Sequence, residues 1–331
     1  MAMKKLFIHL NDKTLSESSL GKLLPLVTTP QVSGRDELLL AEGCKYLGAY
    51  ANYHLVLIDD EFLRSLLEAS KQGTKLISKH GLEAFAESKW AQYFDLEDAL
   101  VAYGPAGAGM SLLSQAQMKP LCLDFELLSY RQRLLRGGRQ KEAVARAVLS
   151  GLEDDTLVFD ATAGLGRESM ILAHAGAHVM SFERQVPIWL ILQDALERAG
   201  KSRFFPFTLP KLCPLGTISD YKSALEAPKE SSQVWQELLS SLEGRRPEVI
   251  YYDPMFPERE KSAQVKKDMF LFQQVIGSDQ DTEQFLALAC SLARTRVVVK
   301  RPSYAEPVRV DGIERSYFVD GGQCRFDCYQ C

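Results

Sequence analysis

An acid, two prolines and an aromatic residue follow a short apolar run near residue 250. Residues 249–252 read as a buried strand, and Asp253 comes directly after it. A carboxylate accepts a hydrogen bond from an exocyclic amine, while Pro254 fixes its own φ and removes a backbone donor. Phe256 offers a flat face on which a nucleobase stacks. This turn therefore predicts a site that positions an aromatic amine for group transfer. The alternative is a β-turn whose phenylalanine packs on the core.

A glycine-rich turn between a strand and a helix forms a second candidate site upstream. The segment "FDATAGLGRES" (159–169) places Gly164 and Gly166 in the turn. Arg167 and Glu168 then lie on the first turn of the helix. Glycines permit the tight turn and let a ligand approach the backbone, so the pattern predicts cofactor binding. Tight packing without a ligand is the other interpretation of this common pattern.

Two acids near this turn distinguish the ligands that it would accept. Asp160 precedes Gly164 by four residues, where it would repel the pyrophosphate of a dinucleotide. A carboxylate there suits the amino group or sulfonium of S-adenosylmethionine. Glu183 ends the next predicted strand, where an acid accepts hydrogen bonds from both ribose hydroxyls. These residues favour the methyl donor over a nicotinamide dinucleotide.

Basic residues are clustered locally, although the formal net charge is −4. Such clusters predict phosphate contacts, which set affinity and make it salt-dependent. The glycine pair 137–138 lies between two of the arginines and predicts a mobile loop that closes over substrate. The alternative is that these charges lie on solvated helix faces. The candidate residues for these phosphate contacts are Arg136, Arg139, Lys261, Lys266, Lys267, Lys300 and Arg301.

Strand-like and helix-like segments alternate from residue 119 onward, which predicts a parallel sheet with helices on both faces. The acids would then meet at the carboxyl ends of the strands. Upstream, we expect a small α/β domain with strands at 4–10 and 54–58, helices at 36–50 and 60–70, and a loop or linker at 103–111. The predicted domains are 1–115, with an insertion around 71–117, and 116–331.

The composition excludes several classes of protein. Apolar residues make up 46% and charged residues 25% of the 331 residues, as is usual for a globular protein. We find neither a signal peptide nor a membrane-spanning run and expect a cytoplasmic protein without membrane partners. Cys324, Cys328 and Cys331 resemble an iron–sulfur spacing, yet they close the chain and alternate as in a strand. We expect reduced thiols and no metal.

Several of these motifs together resemble one bacterial family, that of ribosomal RNA small subunit methyltransferase J. They agree with it in order and spacing over about 120–331, and "LDFELLSYRQRLLRGGRQKEAVARAV" (123–148) is similar to a further block of that family. The resemblance implies a class I, Rossmann-like fold with a seven-stranded, mostly parallel sheet. It also implies that S-adenosyl-L-methionine methylates N2 of a guanine in 16S rRNA of the small ribosomal subunit. The motifs are "DATAGLGRE", "FER", "YYDPMFP", "KSAQVKKDM", "VVVKRP" and "RFD".

The resemblance also implies roles for individual residues. Arg167 and Glu168 match the donor-binding pair after the glycine turn, and Glu183 and Arg184 match the pair at the ribose. Asp253 matches the family's binding acid at the strand end, which places it among the cofactor-binding residues as well as at the reacting amine. A serine pair near the adenine aligns with Ser219 and Asp220, although the second serine is replaced here. Residues 54–69 are similar to the family's first strand and helix, whereas 71–117 have no counterpart.

Three alternatives remain open at the level of the sequence. The first is a methyltransferase acting on DNA or on a small-molecule amine through the same turn. The second is a nicotinamide-dependent oxidoreductase. The third is a non-catalytic RNA-binding protein with a remnant pocket, which the intact acid–proline–aromatic turn disfavours. The sequence gives neither the oligomeric state nor the purpose of residues 71–117.

Overall fold

The computed structural model describes residues 4–10, 44–50, 53–80, 84–85, 87, 91, 94–95, 98–104, 107–115, 118–205, 207–255 and 282–331. The chain divides into two units. The first holds the described residues of Met1–Leu123 together with Val186–Asp194. The second holds those of Asp124–Gln185, Ala195–Gln264 and Gln273–Cys331. The domain boundary between residues 115 and 116 stays a prediction.

The first unit contains a six-stranded sheet in the order β2-β3-β1-β4-β5-β6. Strand β1 pairs in parallel with β3 and β4, and the remaining pairs are antiparallel. Side chains of β1, β3 and α1, with Phe94, form an apolar core. The elements are β1 Lys4–His9, β2 Lys45–Tyr50, β3 Tyr53–Ile58, α1 Asp60–His80, β4 Ala99–Gly104, β5 Gly107–Leu112, a 3₁₀ turn Leu113–Gln115 and β6 Leu121–Cys122.

Two predictions for this unit are wrong. Residues 103–111 belong mostly to the antiparallel strands β4 and β5 rather than to a loop or linker. Gly109 lacks a side chain for a packing reason, since a Cβ there would lie 2.9 Å from Cys122 Sγ on β6. The helix predicted at 36–50 is also wrong over its described end, because 45–50 form β2, which pairs with β3. Pairing with a neighbouring strand overrides the local leucine and alanine spacing.

The second unit is built on a seven-stranded sheet in the order β12-β13-β11-β10-β7-β8-β9. Its strands are β7 Leu157–Asp160, β8 His178–Ser181, β9 Lys211–Leu212, β10 Val249–Tyr252, β11 Arg296–Pro302, β12 Tyr317–Asp320 and β13 Cys324–Gln330. Its helices are α2 Leu128–Arg136, α3 Ala143–Leu149, α4 Arg167–His174, α6 Ile218–Glu226, α7 Gln233–Ser241 and α8 Thr282–Leu292. The residues of one further helix, α5 Val186–Gly200, are divided between the two units.

The pairing of these strands confirms a seven-stranded, mostly parallel sheet. Strands β9, β8, β7, β10 and β11 all pair in parallel, whereas β13 runs antiparallel to both β11 and β12. Every residue of β7 and β10 is buried, as parallel strands covered on both faces require. In register, Asp160 lies opposite Tyr251 of β10 and Ser181 of β8. The carboxyl ends of these strands therefore meet at one edge.

Over the described part of the chain, no helix is long and apolar enough to cross a membrane. The basic segment 131–136 forms the last six residues of helix α2. Helix α2 ends at Arg136, and the amide of the next residue, Gly137, donates hydrogen bonds to the carbonyl oxygens of Arg133 and Leu134. The turn itself is confined to residues 137–142, before α3.

Candidate active site

Charged side chains gather at the edge where the parallel strands end. Asp160 is the last residue of β7, Asp253 follows β10 directly, and Glu183 lies two residues beyond β8. Lys300 lies within β11, one residue beyond the pair formed by Tyr252 and Val299. Ligands of open α/β sheets bind at this edge, so the sheet supplies the framework of a site.

Asp160 is a buried carboxylate held by neutral donors. Its side chain is 1% exposed. The Ser169 hydroxyl donates to Oδ2 at 2.5 Å, and the Thr162 amide donates to Oδ1 at 3.2 Å. Burial raises the pKa of Asp160 to about 7, although both hydrogen bonds oppose the shift. A cation brought to this position would relieve the cost of the buried charge.

The glycine turn leads from Asp160 into helix α4. Gly164 and Gly166 have φ of 50° and 70°, the left-handed region that glycine adopts without strain. Glu183 holds the turn, because the Gly164 amide donates to its Oε2 at 3.0 Å and the Gln185 amide to its Oε1 at 2.7 Å. Burial raises the pKa of Glu183 to about 7 as well. Each carboxylate oxygen keeps acceptor capacity for a further donor such as a ribose hydroxyl.

Asp253 is connected both to the glycine turn and to Lys300. Its amide donates to Thr162 Oγ1 at 2.7 Å. The Lys300 ammonium donates to Asp253 Oδ2 at 2.7 Å and lies 3.5 Å from Glu168 Oε1. Burial disfavours the charge of Lys300, but Asp253 and Glu168 outweigh it and raise the pKa of that ammonium. Pro254 is buried beyond Asp253, and Phe256 lies outside the described residues.

Three hydroxyl groups in this network were not among the candidate site residues predicted from the sequence. Ser169 holds Asp160, the Ser181 hydroxyl donates to Ser169 Oγ at 2.9 Å, and Thr162 accepts from Asp253. Thr162 stands two residues after Asp160, a spacing typical of an aspartate that turns back on its own backbone. That spacing was a usable signal, whereas nothing local marks Ser181.

The other predicted cofactor-binding residues lie on neighbouring segments. Arg167 and Arg184 are exposed, and the Arg167 carbonyl accepts a hydrogen bond from Tyr130 Oη at 2.9 Å. Asp220 closes a capping box at the start of α6, where its Oδ2 accepts from the Thr217 amide at 2.7 Å. Ser219 donates its amide to Thr217 Oγ1 in the same turn. Cofactor contacts by these four residues stay predictions.

The predicted RNA-binding residues fall into different environments. Arg136 is exposed on the last turn of α2. Arg139 instead pairs with Asp154 at 2.8 Å and donates to backbone carbonyls of the segment 149–153. Arg301 donates to the Glu306 carbonyl at 2.5 Å. Lys261, Lys266 and Lys267 lie outside the described residues. Phosphate contacts by all of these residues stay predictions.

The donor set at this edge fits S-adenosylmethionine. Asp160, Glu168 and Asp253 would all repel a pyrophosphate, whereas carboxylates attract the amino group and sulfonium of the methyl donor. The positive-φ glycines leave backbone accessible beside Glu183, whose acceptor chemistry suits a ribose. Within the described ranges, no group of three His, Cys, Asp or Glu side chains has the arrangement of a metal site.

Comparison with known proteins identifies the family. A family model described as a putative SAM-dependent methyltransferase matches residues 97–331. A protein of Thioalkalivibrio sulfidiphilus named ribosomal RNA small subunit methyltransferase J is 38% identical over 228 residues, which are 67% of this chain and 81% of that protein. Proteins of the same name from Edwardsiella ictaluri and Photorhabdus laumondii are 38% and 33% identical, covering 77% and 78% of this chain and 97% and 100% of theirs.

A solved structure supports the same fold. The crystal structure of a SAM-dependent methyltransferase from Neisseria gonorrhoeae aligns with a TM-score of 0.52 at 21% identity, covering 98% of this chain and 95% of that one. At this identity the likeness establishes the fold alone, a class I methyltransferase fold, and the identities above establish the rest. The chain belongs to the ribosomal RNA small subunit methyltransferase J family of SAM-dependent methyltransferases.

Proposed function

We propose that this protein methylates the exocyclic N2 amine of a guanine in 16S rRNA of the small ribosomal subunit. The names of its relatives specify small-subunit ribosomal RNA. The choice of the guanine amine rests on the family resemblance and on the acceptor chemistry of the turn at 253–256. When bound, S-adenosylmethionine supplies an electrophilic methyl group carried on a sulfonium. The remaining chemistry belongs to the residues of this chain.

One observation carries the proposal: the amide of Asp253 donates to Thr162 Oγ1 at 2.7 Å. Thr162 lies in the turn that would hold the donor, and Asp253 begins the turn that would hold the acceptor. This hydrogen bond, together with the one from the Ala161 amide to the Tyr251 carbonyl at 2.9 Å, holds the end of β10 against the glycine turn. Fixing two reactants relative to each other converts a bimolecular step into one that is effectively unimolecular.

Asp253 acts as an acceptor that positions the amine. The lone pair of an aromatic amine is delocalised into its ring, so the free amine is a poor nucleophile. Its two hydrogens can be held by the Asp253 carboxylate and by a backbone carbonyl of the turn at Pro254. Held in this way, the lone pair leaves conjugation and points at the methyl group. Electrostatic preorganisation of this kind supplies more of the rate than a strong base would.

Phe256 and the basic residues would bring the guanine to Asp253. The base must leave its stack, which costs a few kcal/mol. Stacking on an aromatic face returns about 1–3 kcal/mol per base, and phosphate contacts contribute the remainder. We expect Phe256→Ala to weaken engagement of the RNA by about 5- to 150-fold with a smaller effect on the rate of the bound complex.

The dinucleotide alternative is not supported by the site. Three carboxylates lie near the position that a pyrophosphate would occupy, and the chain belongs to a SAM-dependent family. Methylation of DNA or of a small-molecule amine uses the same chemistry and differs from the proposal in the substrate alone. The experiment that tests the proposal therefore varies the substrate while the enzyme and the donor stay fixed.

The test incubates purified protein with labelled S-adenosylmethionine and small ribosomal subunits from cells that lack this gene. Parallel reactions contain naked 16S rRNA, duplex DNA and ribonuclease-treated subunits. Nucleoside digestion and mass spectrometry identify the product. We expect N2-methylguanosine with the subunits or the naked rRNA, and none after ribonuclease treatment or with Asp253→Ala.

Other products would each overturn part of the proposal. Label in DNA, or label that survives ribonuclease, assigns a different substrate. Label at another guanine atom or on another base contradicts the role of the 253–256 turn. Normal transfer by Asp253→Ala contradicts the mechanism itself. As a control, calorimetry would measure binding of S-adenosylhomocysteine to Asp253→Ala, and binding at the wild-type affinity would show that the donor site of this variant is intact.

A further inference from the structure

Lys300 occupies a position that its sequence context did not predict. The sequence assigned it to a basic cluster that contacts phosphate. In the structure its ammonium lies 2.7 Å from Asp253 Oδ2 and 3.5 Å from Glu168 Oε1. The side chains of Lys300 and Asp253 are 26% and 31% exposed. This geometry describes a partly buried ion pair inside the site, where screening by water is weaker than on the surface.

The charges around Asp253 explain why a cation is needed there. Among the described residues, the electrostatic neighbours of Asp253 include Lys300 on β11, Asp160 at the end of β7, Tyr251 on β10 and the Cys324 thiol on β13, and Glu168 on α4 shares Lys300 with it. Two of these are carboxylates, and a like charge nearby disfavours ionisation of an acid. Lys300 supplies an opposing charge, because its ammonium lies 2.7 Å from the Asp253 carboxylate and 3.5 Å from that of Glu168.

We infer that Lys300 is a positioning residue for methyl transfer, which holds Asp253 ionised and orients its carboxylate toward the substrate amine. The inference rests on the proposed function for the identity of that amine, although the ion pair itself does not. A protonated carboxyl group has lost an acceptor site and carries a donor instead. Without Lys300, the Asp253 carboxylate would lose the cation that orients it at 2.7 Å, and its protonation would become more favourable.

Two other roles for Lys300 fit the geometry less well. To act as a general base, Lys300 would first have to be a neutral amine. Asp253 and Glu168 instead raise the pKa of Lys300 despite its burial. The ammonium therefore stays charged at neutral pH. A phosphate contact requires an available charge, whereas this ammonium already donates to a carboxylate at 2.7 Å.

The first test measures the ionisation of Asp253 directly and needs no substrate. Protein carrying ¹³C in its aspartate carboxyl groups is titrated by NMR, and the Asp253 signal is assigned by its absence in Asp253→Asn. We expect the midpoint of Asp253 to lie about 1–3 pH units higher in Lys300→Met than in the wild type. Lys300→Arg keeps the charge and should restore most of the difference.

The matched control is Lys222→Met. Lys222 forms an ion pair of 3.7 Å with Glu226 on helix α6, and the same substitution there removes a lysine–carboxylate pair that does not include Asp253. It should leave the Asp253 midpoint unchanged. An unchanged midpoint in Lys300→Met would overturn the inference. That result would stand whether or not the protein methylates rRNA.

The second test measures transfer to subunits from pH 6 to pH 8.5. For Lys300→Met, ionised Asp253 is lost as the pH falls toward the raised midpoint, so the deficit against wild type should be larger at pH 6 than at pH 8.5. Affinity for S-adenosylhomocysteine should change by less than about threefold, well below the effect of removing a charged hydrogen bond. Lys300→Arg should recover most of the rate and the wild-type pH profile.

Other kinetic results would contradict the inference. A deficit that is constant across this range and is not restored by arginine indicates a purely structural role. A deficit confined to the KM for subunits, and sensitive to salt, indicates the phosphate contact predicted from the sequence. If wild-type protein transfers no label to any RNA while the NMR midpoint moves as expected, the proposed function fails and the ion-pair role survives.

Discussion

Asp160 and Asp253 stand at the ends of adjacent strands, yet the protein treats the two acids differently. Asp160 is 1% exposed and is held by a hydroxyl and an amide. The side chain of Asp253 is 31% exposed and is paired with an ammonium. Neutral hydrogen-bond donors fix the orientation of a carboxylate and leave its charge in place. An ammonium fixes the orientation and also offsets the charge. Because burial raises the pKa of Asp160 to about 7, the β7 end is negative above that pH and gains from a cationic ligand, whereas Lys300 already offsets the charge at the β10 end.

This difference matches the ligands proposed for the two ends. A methyl donor brings positive charge and hydroxyl groups, which an uncancelled, buried carboxylate attracts. An RNA nucleotide brings a neutral amine attached to a polyanion, which such a carboxylate would repel. Pairing Asp253 with Lys300 keeps a strong acceptor for the amine while lowering the repulsion of the phosphates. The same residue type thus serves two ligands of opposite charge because its partners differ.

The largest effects come from removing one acid on each side. We expect Asp253→Ala to reduce the rate of transfer by a factor on the order of 10²–10³ or more while donor affinity changes little. Glu183→Gln, on the donor side, should weaken binding of S-adenosylhomocysteine by about 10- to 150-fold, because one charged hydrogen bond is worth about 1.5–3 kcal/mol. Calorimetry and single-turnover rates separate the two effects. A loss of donor binding in Asp253→Ala would break the proposed division.

An intermediate effect concerns stability and pH. Burial raises the pKa of Asp160 from 3.8 to about 7. A raised folded-state pKa contributes stability that is fully present below pH 3.8 and is lost as the pH rises through about 7. This loss is on the order of 4 kcal/mol at most for a shift of that size. Asp160→Asn should remove it, so the variant should gain thermal stability over wild type between pH 4 and pH 8 while binding the donor more weakly.

Thermal midpoints measured across that range check this expectation. Each kcal/mol corresponds to roughly 2–4 °C for domains of 150–250 residues, so the gain at pH 8 should reach several degrees. Asp311→Asn is the matched control, because Asp311 is an exposed acid of the same unit. If the thermal midpoint of Asp160→Asn equals that of the wild type at every pH, then ionisation of the buried Asp160 carboxylate does not lower the stability of the fold.

The central strands of the second unit were predictable because buried parallel strands leave a strong local signal. The apolar runs at 157–160, 249–252 and 296–300 are strands, and the acids and glycines after them lie at the predicted edge. The capping box formed by Thr217 and Asp220 carries its own local signal as well. The strands depend on neighbours in sequence, which is why apolar runs and turn residues predicted them, whereas the capping box was found in the structure.

The remaining features depend on residues that are distant in sequence. Strands β4 and β5 read as a loop because Gly109 serves close packing against Cys122. Lys300 looked like part of a basic cluster because its partners, Glu168 and Asp253, lie 132 and 47 residues away. Arg139 also has partners outside the basic cluster, at Asp154 and in the segment 149–153, while its phosphate contact stays a prediction. From the local sequence alone, a charged side chain that pairs with another residue of the protein cannot be distinguished from one that binds a ligand.

The smallest effect sharpens the same contrast between Arg136 and Arg139. Arg136 is exposed, so Arg136→Ala should leave the thermal midpoint unchanged and lower the salt dependence of RNA binding by about one unit of slope. The Arg139 guanidinium pairs with Asp154 and donates to the carbonyls of Leu149 and Glu153. Arg139→Ala should instead lower stability by about 1–3 kcal/mol, because those groups lose their donor.

Binding of 16S rRNA at several salt concentrations, together with thermal melts of both variants, separates the two arginines. An altered salt slope with an unchanged midpoint for Arg139→Ala would show that Arg139 leaves its protein partners to meet phosphate. The turn at 137–142 would then be a segment that rearranges when RNA binds. We expect Arg139→Ala to lower the thermal midpoint and to leave the salt dependence of RNA binding unchanged. That result would mean that Arg139 stabilises the segment 149–154, and that Arg136, at the end of α2, contacts the phosphates.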